Sequence, residues 1–310
     1  NGLPIIQIEE KCDTHNVDEA LNQMHQYAAE NQYGDIFSTL QILIAITPHN
    51  VKYMANATAE TFNKDFAFNW QRKEDNGIVR NWREFADSML NIPMAHQMAT
   101  NYMILDGTKN KQMLKVMRPY QVYATQNVIE GIKKNDFESG NGKVGHVWHT
   151  TGSGKTITSF KTAWLASRMP GVDKVVFLVD RRALTSQTSE NYKAYDPDGD
   201  VEDATKKGSI QDTKNTTDLS RKLKSKDNDI IVTSVQKMGT LIKRKRFKAP
   251  DKNIVFIVDE AHRSTGGDNF AAIQKAFPHS AWIGYTGTPM FDEKNGLRTA
   301  DIFGPLLHAY

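Results

Sequence analysis

Cysteine is almost absent. Cys12 is the single one in 310 residues, which excludes an intramolecular disulfide framework. Long apolar runs are missing too: nothing approaches the roughly 18 uninterrupted apolar residues of a membrane span, so no membrane partner is expected. Neither charge dominates, since 39 Lys and Arg against 36 Asp and Glu leave +3. That balance neither demands nor excludes nucleic acid, and local clusters must decide. Internal repeats and low-complexity tracts are lacking as well. The chain opens on Asn1 without a signal-peptide pattern and stops at Tyr310 just after a hydrophobic segment, so it reads as cytoplasmic and as part of something larger. What remains, 39% apolar and 24% charged residues, is ordinary globular composition, enough for about two domains with cores of their own.

The first hundred residues and the rest differ in rhythm. "PIIQIEEK" (4–11) predicts a strand entering a charged turn, and "DEALNQMHQYAAE" (18–30) repeats apolar residues at helical spacing. "LQILIAIT" and "VKYMANA" flank Pro48, His49 and Asn50, a turn between two β-prone runs, and "FAFNW" (66–70) alternates as a strand would. Phe66, Phe68 and Trp70 are expected in the core rather than on a base-stacking platform. Together these predict a small mixed α+β unit, followed by a mostly helical connector over 81–117. From Arg118 the pattern becomes short apolar runs, "VGHVW", "KVVFLVD", "DIIVTSV", "NIVFIVDE" and "AWIGYTG", separated by helix-length stretches. That alternation predicts parallel βαβ units with both sheet faces covered. Residues 195–228 are strongly polar and are expected to form a surface insertion with at most one short helix.

Chemistry concentrates in "VWHTTGSGKT" (147–156), where an apolar strand breaks into a glycine loop and then into the helical pattern of "ITSFKTAWLASR", with Ile157, Phe160, Ala163 and Trp164 on one face. Strand, loop and helix in that order are what a phosphate-cradling loop requires. Thr151, Gly152, Ser153 and Gly154 form the loop, whose glycines let backbone N–H groups turn inward, and the helix N-terminus adds its positive dipole end. Lys155 would reach the β- and γ-phosphates of ATP, and Thr156 would offer magnesium a hydroxyl. The strict pattern opens with glycine where this chain has His149. "IVFIVDEAH" (254–262) predicts a buried strand ending in adjacent carboxylates, Asp259 to hold magnesium and Glu260 to orient the attacking water. "YTGTP" (285–289) follows the next apolar run, where its threonines could report the state of the nucleotide site.

GSGKT, DEAH and TGTP in this order resemble the first RecA-like lobe of superfamily 2 helicases and DNA translocases. "MRPYQVYATQ", "WHTTGSGKT", "VDRRAL", "VTSVQKM" and "VDEAHRS" closely resemble the motor of the restriction (R) subunit of type I restriction-modification enzymes. The resemblance implies that Gln121 reads the adenine edge with Arg118 beside it, capping of a helix being the alternative for Gln121. It places Asp180 and Arg181 in the motif after the second strand, and Thr233 and Gln236 in the one that meets the DNA backbone. It also implies double-stranded DNA as substrate, with modification and specificity subunits as partners.

The R subunits of this family have a nuclease ahead of the motor: an acidic residue, then Glu-x-Lys on a strand, then Gln-x-x-x-Tyr on a helix. Here "QIEEK" supplies Glu9 and Lys11, and "QMHQY" supplies Gln23 and Tyr27. Alternation puts Glu9 and Lys11 on one strand face, where they can meet a common metal and water, and leaves Glu10 on the other. Spacing i, i+4 puts Gln23 and Tyr27 on one helix face. Glu-x-Lys alone is equally a solvated strand end. "NGLPII" has no candidate for the preceding acidic residue, which is expected upstream of Asn1, as a second RecA-like lobe is expected downstream of Tyr310. "KRKRFKAPDK" (243–252) reads either as a solvated loop or, in a motor, as phosphate contacts. The expected fold is α/β: the C-terminal part of a restriction-endonuclease-like α+β domain over 1–80, a connector over 81–117, and one RecA-like parallel-sheet ATPase domain over 118–310.

Overall fold

The computed structural model describes residues 2–108, 112–150, 152–180, 182–199, 208–259, 261, 268–291 and 298–310. Thr151, Arg181, Glu260 and the part of "VDEAHRS" after Ala261 lie outside them. The chain divides into two compact units, Asn1–Val122 and Tyr123–Tyr310, and residues 81–117 fall in the first.

In the first unit, β1 (Ile6–Glu10) and β2 (Ile42–Thr47) pair in parallel, joined by α1 (Val17–Ala29), and β2 turns through Pro48 and His49 into antiparallel β3 (Asn50–Ala55). Helix α1 starts where Asn16 and Glu19 form a capping box, satisfying N–H groups that the first turn leaves open. Its buried side, Val17, Ala20, Leu21 and Met24, packs on Leu43, Ala45 and Met54. Register pairs Gln7 with Leu43 and Glu9 with Ala45, so Gln7 and Glu9 share the helix-covered face of the sheet.

Two expectations need correction here. "FAFNW" is not a strand: Lys64–Phe66 is a 3-10 turn, Phe68 makes one bridge to Tyr53, and β4 (Trp70–Gln71) begins only at Trp70, pairing with β5 (Ile78–Val79). Trp70 is buried but Phe66 is exposed, because the 3-10 turn breaks the alternation that would have placed them on one face. Residues 81–117 are helical through α2 (Trp82–Phe85), the π-turn that follows and α3 (Met94–Thr100). Beyond that they form an antiparallel ribbon, β6 (Met103–Asp106) with β7 (Met113–Val116). Helix α4 (Pro119–Lys134) follows.

The second unit is built on a seven-stranded sheet in the order β10, β11, β9, β12, β13, β8, β14, every pair parallel. Its elements in chain order are β8 (Lys143–Trp148), α5 (Lys155–Ala166), β9 (Lys174–Val179), α6 (Arg182–Tyr195), β10 (Ile210–Asp212), α7 (Thr216–Lys224), β11 (Ile230–Ser234), α8 (Val235–Ile242), β12 (Ile254–Val258), the helix Asp268–Ala276, β13 (Ser280–Thr286), the short helix Thr299–Phe303 and β14 (Leu306–Ala309). The five expected strands are present, and β9, β11, β12 and β13 are buried along their whole length, as a sheet covered on both faces requires. One face packs Val176, Leu178, Phe256 and Trp282 under Leu219, Met238 and Phe270, with Phe256 and Trp282 stacked at 4.1 Å. On α5, Phe160 lies 5.2 Å from the ring of Tyr192, which reaches Phe177 at 4.9 Å. Helix α5 is buried more nearly all round than a one-face pattern suggests: Thr158 to Ala163 are buried, whereas Ile157 and Trp164 are half-buried. The polar stretch 195–228 holds the one expected helix, α7, and also β10, which the sequence pattern did not suggest.

Candidate active sites

In the motor unit, Gly152 and Gly154 have φ of +82° and +83°, a left-handed conformation that glycine adopts without strain. Gly154 is the N-cap of α5, and the space beside a Cβ at Gly152 is open. The loop is cross-braced: the Ser153 hydroxyl donates to the Thr150 carbonyl at 2.6 Å. Lys155, first residue of α5, points across to the end of β12, where its Nζ lies 3.1 Å from Asp259 Oδ1. Both side chains are about one-fifth exposed (24% and 18%), so the pair meets solvent rather than being sealed. The end of β13 completes the floor. The His149 N–H donates to the Thr286 carbonyl at 2.9 Å, and Trp148 Nε1 to the Gly287 carbonyl at 3.1 Å. The "TGTP" run therefore abuts the base of the glycine loop.

His149 stands where the strict loop pattern has glycine, and the structure gives it a distinct environment. It is 1% exposed, lies edge-on to Tyr310 with ring centroids 4.3 Å apart, and has the Tyr310 hydroxyl 2.8 Å from Nε2. Burial first, then the Lys155 charge and His308, lower its pKa to about 3. The ring is therefore neutral beside the loop and adds no charge to compete with Lys155. Nothing local in the sequence announces the Tyr310 contact, which spans 161 positions.

Other motor expectations divide. Thr233 is fully buried and accepts a hydrogen bond from Thr213 at 2.9 Å, so of that motif's two named residues only Gln236 is exposed. In the first unit, Gln121 is 4% exposed and its Oε1 accepts from the Arg118 N–H at 2.9 Å, the capping arrangement of a helix third position reaching back to its N-cap. The Arg118 guanidinium lies 4.3 Å over the Phe68 ring, a cation–π contact.

The first unit gathers the nuclease-type residues. Lys11 Nζ lies 3.1 Å from Glu9 Oε1 and bonds Gln23 Oε1, and Gln23 Nε2 bonds the Tyr27 hydroxyl. Four residues drawn from two separated stretches thus form one connected chain, with Lys11 at its centre. Glu10 faces away and is exposed. Two further residues join. Tyr33 meets Tyr27 edge-on, ring centroids 6.5 Å apart, and lies beside Gln7; burial, with Glu9's charge, raises its pKa far above the ordinary tyrosine value. The Tyr33 hydroxyl and Gln7 Oε1 are both buried without completing a hydrogen bond of ordinary geometry. Strand alternation from Glu9 and Lys11 points to Gln7; Tyr33 lies past the helix and has no local signal. Glu9 is the one carboxylate in this cluster, and no group of three His, Cys, Asp or Glu that could hold a metal occurs among the described residues. Thr156 and Asp259, by contrast, are hard oxygen donors of the kind magnesium takes.

Residues 120–310 match the SWI2/SNF2 ATPase family, and residues 1–62 match the type I restriction enzyme R protein N terminus. The chain is 39% identical over its whole length to the type I restriction enzyme SsaAORF53P endonuclease subunit of Staphylococcus saprophyticus, covering 32% of that protein. Over 67% of its length it is 38% identical to a Mycoplasma pneumoniae protein, the C-terminal part of the putative type I restriction enzyme MpnIIP endonuclease, covering 99% of it. Among solved structures, the Sulfolobus solfataricus SWI2/SNF2 ATPase core in complex with double-stranded DNA is similar at 17% identity and a TM-score of 0.45, over 67% of this chain and 38% of that one. The chain spans about a third of the length of the first of these relatives. It belongs to the family of endonuclease (R) subunits of type I restriction enzymes.

Proposed function

We propose that this chain is the nuclease and first motor region of an ATP-dependent DNA translocase and endonuclease subunit. It hydrolyses ATP to move double-stranded DNA and cuts the DNA backbone, working with modification and specificity subunits in the cytoplasm. The proposed division is 1–80 for the nuclease part, 81–117 for the connector and 118–310 for the motor. The observation that carries the reading is that one chain holds two separate built clusters. The Lys155–Asp259 pair sits at a glycine loop in one unit, and the linked Glu9, Lys11, Gln23 and Tyr27 lie in the other.

ATP is the motor's substrate. Backbone N–H groups from Thr151 to Gly154 and the start of α5 receive its phosphates. Lys155 is held by Asp259 until a triphosphate offers it a denser negative charge. Thr156 and Asp259 would hold magnesium, which would supply neutralisation of charge on the phosphate oxygens. Glu260 orients the attacking water; an adenine-reading role for Gln121 with Arg118 is what the family resemblance implies, beside the capping bond that Gln121 makes. In the nuclease cluster, Glu9 and Gln23 aim the Lys11 ammonium, and Tyr27 fixes Gln23. Lys11 then stabilises the charge that develops on the scissile phosphate when water attacks.

The motor roles separate in two variants. Glu260→Gln keeps the shape and removes the carboxylate, so nucleotide binding persists while phosphate release stops. Lys155→Ala removes a charge-assisted contact of about 1.5–3 kcal/mol, weakening binding about 10-fold to 100-fold. Titration with a fluorescent ATP analogue beside a phosphate-release assay reads both, and equally tight binding by the two variants would show these roles to be wrong.

A further inference from the structure

The turn between α8 and β12 carries Lys243, Arg244, Lys245, Arg246 and Lys248, and all five are exposed. Arg244 bonds Thr216 and Thr217. The other four have no ion-pair partner among the described residues, in a chain whose net charge is only +3. The turn is built rather than trailing. Phe247 in its middle packs inward, its ring 6.2 Å from Phe277, and its N–H donates to the Arg244 carbonyl at 2.9 Å. The segment rejoins the sheet at Asn253, whose N–H donates to Asp173 at 2.8 Å, just before β9. The nearby carboxylates Asp227 and Asp251 are exposed too, and Asp251 is oriented toward His279 at 3.7 Å.

Like charges fixed on a short anchored turn repel one another, and a polyanion relieves that repulsion. The composition of the patch selects the kind of polyanion. A protein interface has an apolar, aromatic-rich core, yet none of the exposed large hydrophobic side chains described lies between residues 208 and 259. A phosphate backbone asks for charge alone.

We infer that the 243–248 turn is a sequence-independent contact for the DNA phosphate backbone. This rests on the DNA-handling reading above for its choice of polyanion, but not on the nuclease assignment. The test replaces Lys243, Lys245, Arg246 and Lys248 together by Gln in the full-length protein and measures binding of two unrelated short duplexes across a salt series. Four lost contacts flatten the slope of log K against log salt by about 3.6, at about 0.9 per phosphate, equally for both sequences. Binding of the fluorescent ATP analogue stays as in the parent, which also verifies folding. An unchanged slope overturns the inference. Unchanged DNA binding with lost assembly onto the specificity and modification subunits overturns it too, in favour of an acidic protein partner. If the parent protein itself bound no duplex, the broader functional reading would fail as well, whereas failure confined to cleavage leaves this test intact.

Discussion

Lys155 and His149 act on the same loop by opposite means: one brings a charge and the other withholds it. His149 is buried with its pKa near 3, so it folds as a neutral ring; burial also lowers the pKa of His146 on β8. In the unfolded chain they protonate near pH 6.5. Between about pH 6.5 and 3 the unfolded state therefore binds more protons at His149, and stability falls as pH falls, by at most about 1.4 kcal/mol per pH unit. Urea midpoints at pH 7 and pH 5 should show this loss, and His149→Gln, which does not titrate, should lose less on the same descent. An identical loss in the variant would mean that His149 is not buried as described. The glycine loop was legible because its parts are contiguous: glycines, lysine and hydroxyl occupy five neighbouring positions. Tyr310 and Tyr33 were not: Tyr310 reaches its site from 161 positions away, and Tyr33 lies past the end of α1, where no helical spacing points to it. Gln121 shows a different limit, because its capping bond to Arg118 and contact with a base suit the same residue at the same place.

At the scale of elements, legibility followed burial. Strands β9, β11, β12 and β13 are continuous β-branched and apolar runs because both faces are covered, and such runs stand out in a sequence. Strand β10 has three residues and β14 four; both are edge strands, too short and too mixed to form a pattern. "FAFNW" alternated for reasons of its own, with Trp70 in the core and Phe66 outside it. β14 is nonetheless integral to the sheet, and Gly145 on β8 shows how closely it packs. The φ there is +150°, and an added Cβ would sit 2.5 Å from Leu307 Cγ and 2.7 Å from the Pro305 carbonyl oxygen. Gly145→Ala should therefore destabilise the motor unit by roughly 1–3 kcal/mol through overpacking, seen as a lower urea midpoint. A midpoint equal to the parent's would show that the β8–β14 contact is looser than described.

At the scale of the whole molecule, the account rests on two chemistries carried by separate units, with cutting dependent on translocation. Lys11 belongs to the Asn1–Val122 unit and Lys155 to the Tyr123–Tyr310 unit, so their losses should be unequal. The most direct measurement follows phosphate release and nicking of circular DNA side by side, in full-length protein assembled with its partner subunits, for Lys11→Ala and Lys155→Ala. Lys11→Ala should abolish nicking while ATP hydrolysis stays near the parent rate, because its described partners, Glu9 and Gln23, belong to the nuclease cluster. Lys155→Ala should abolish both, because in the proposed enzyme, as the family resemblance implies, cutting waits on the motor. A Lys11→Ala protein that still nicked DNA at the parent rate would contradict the account, leaving a motor whose N-terminal unit binds DNA without cutting it.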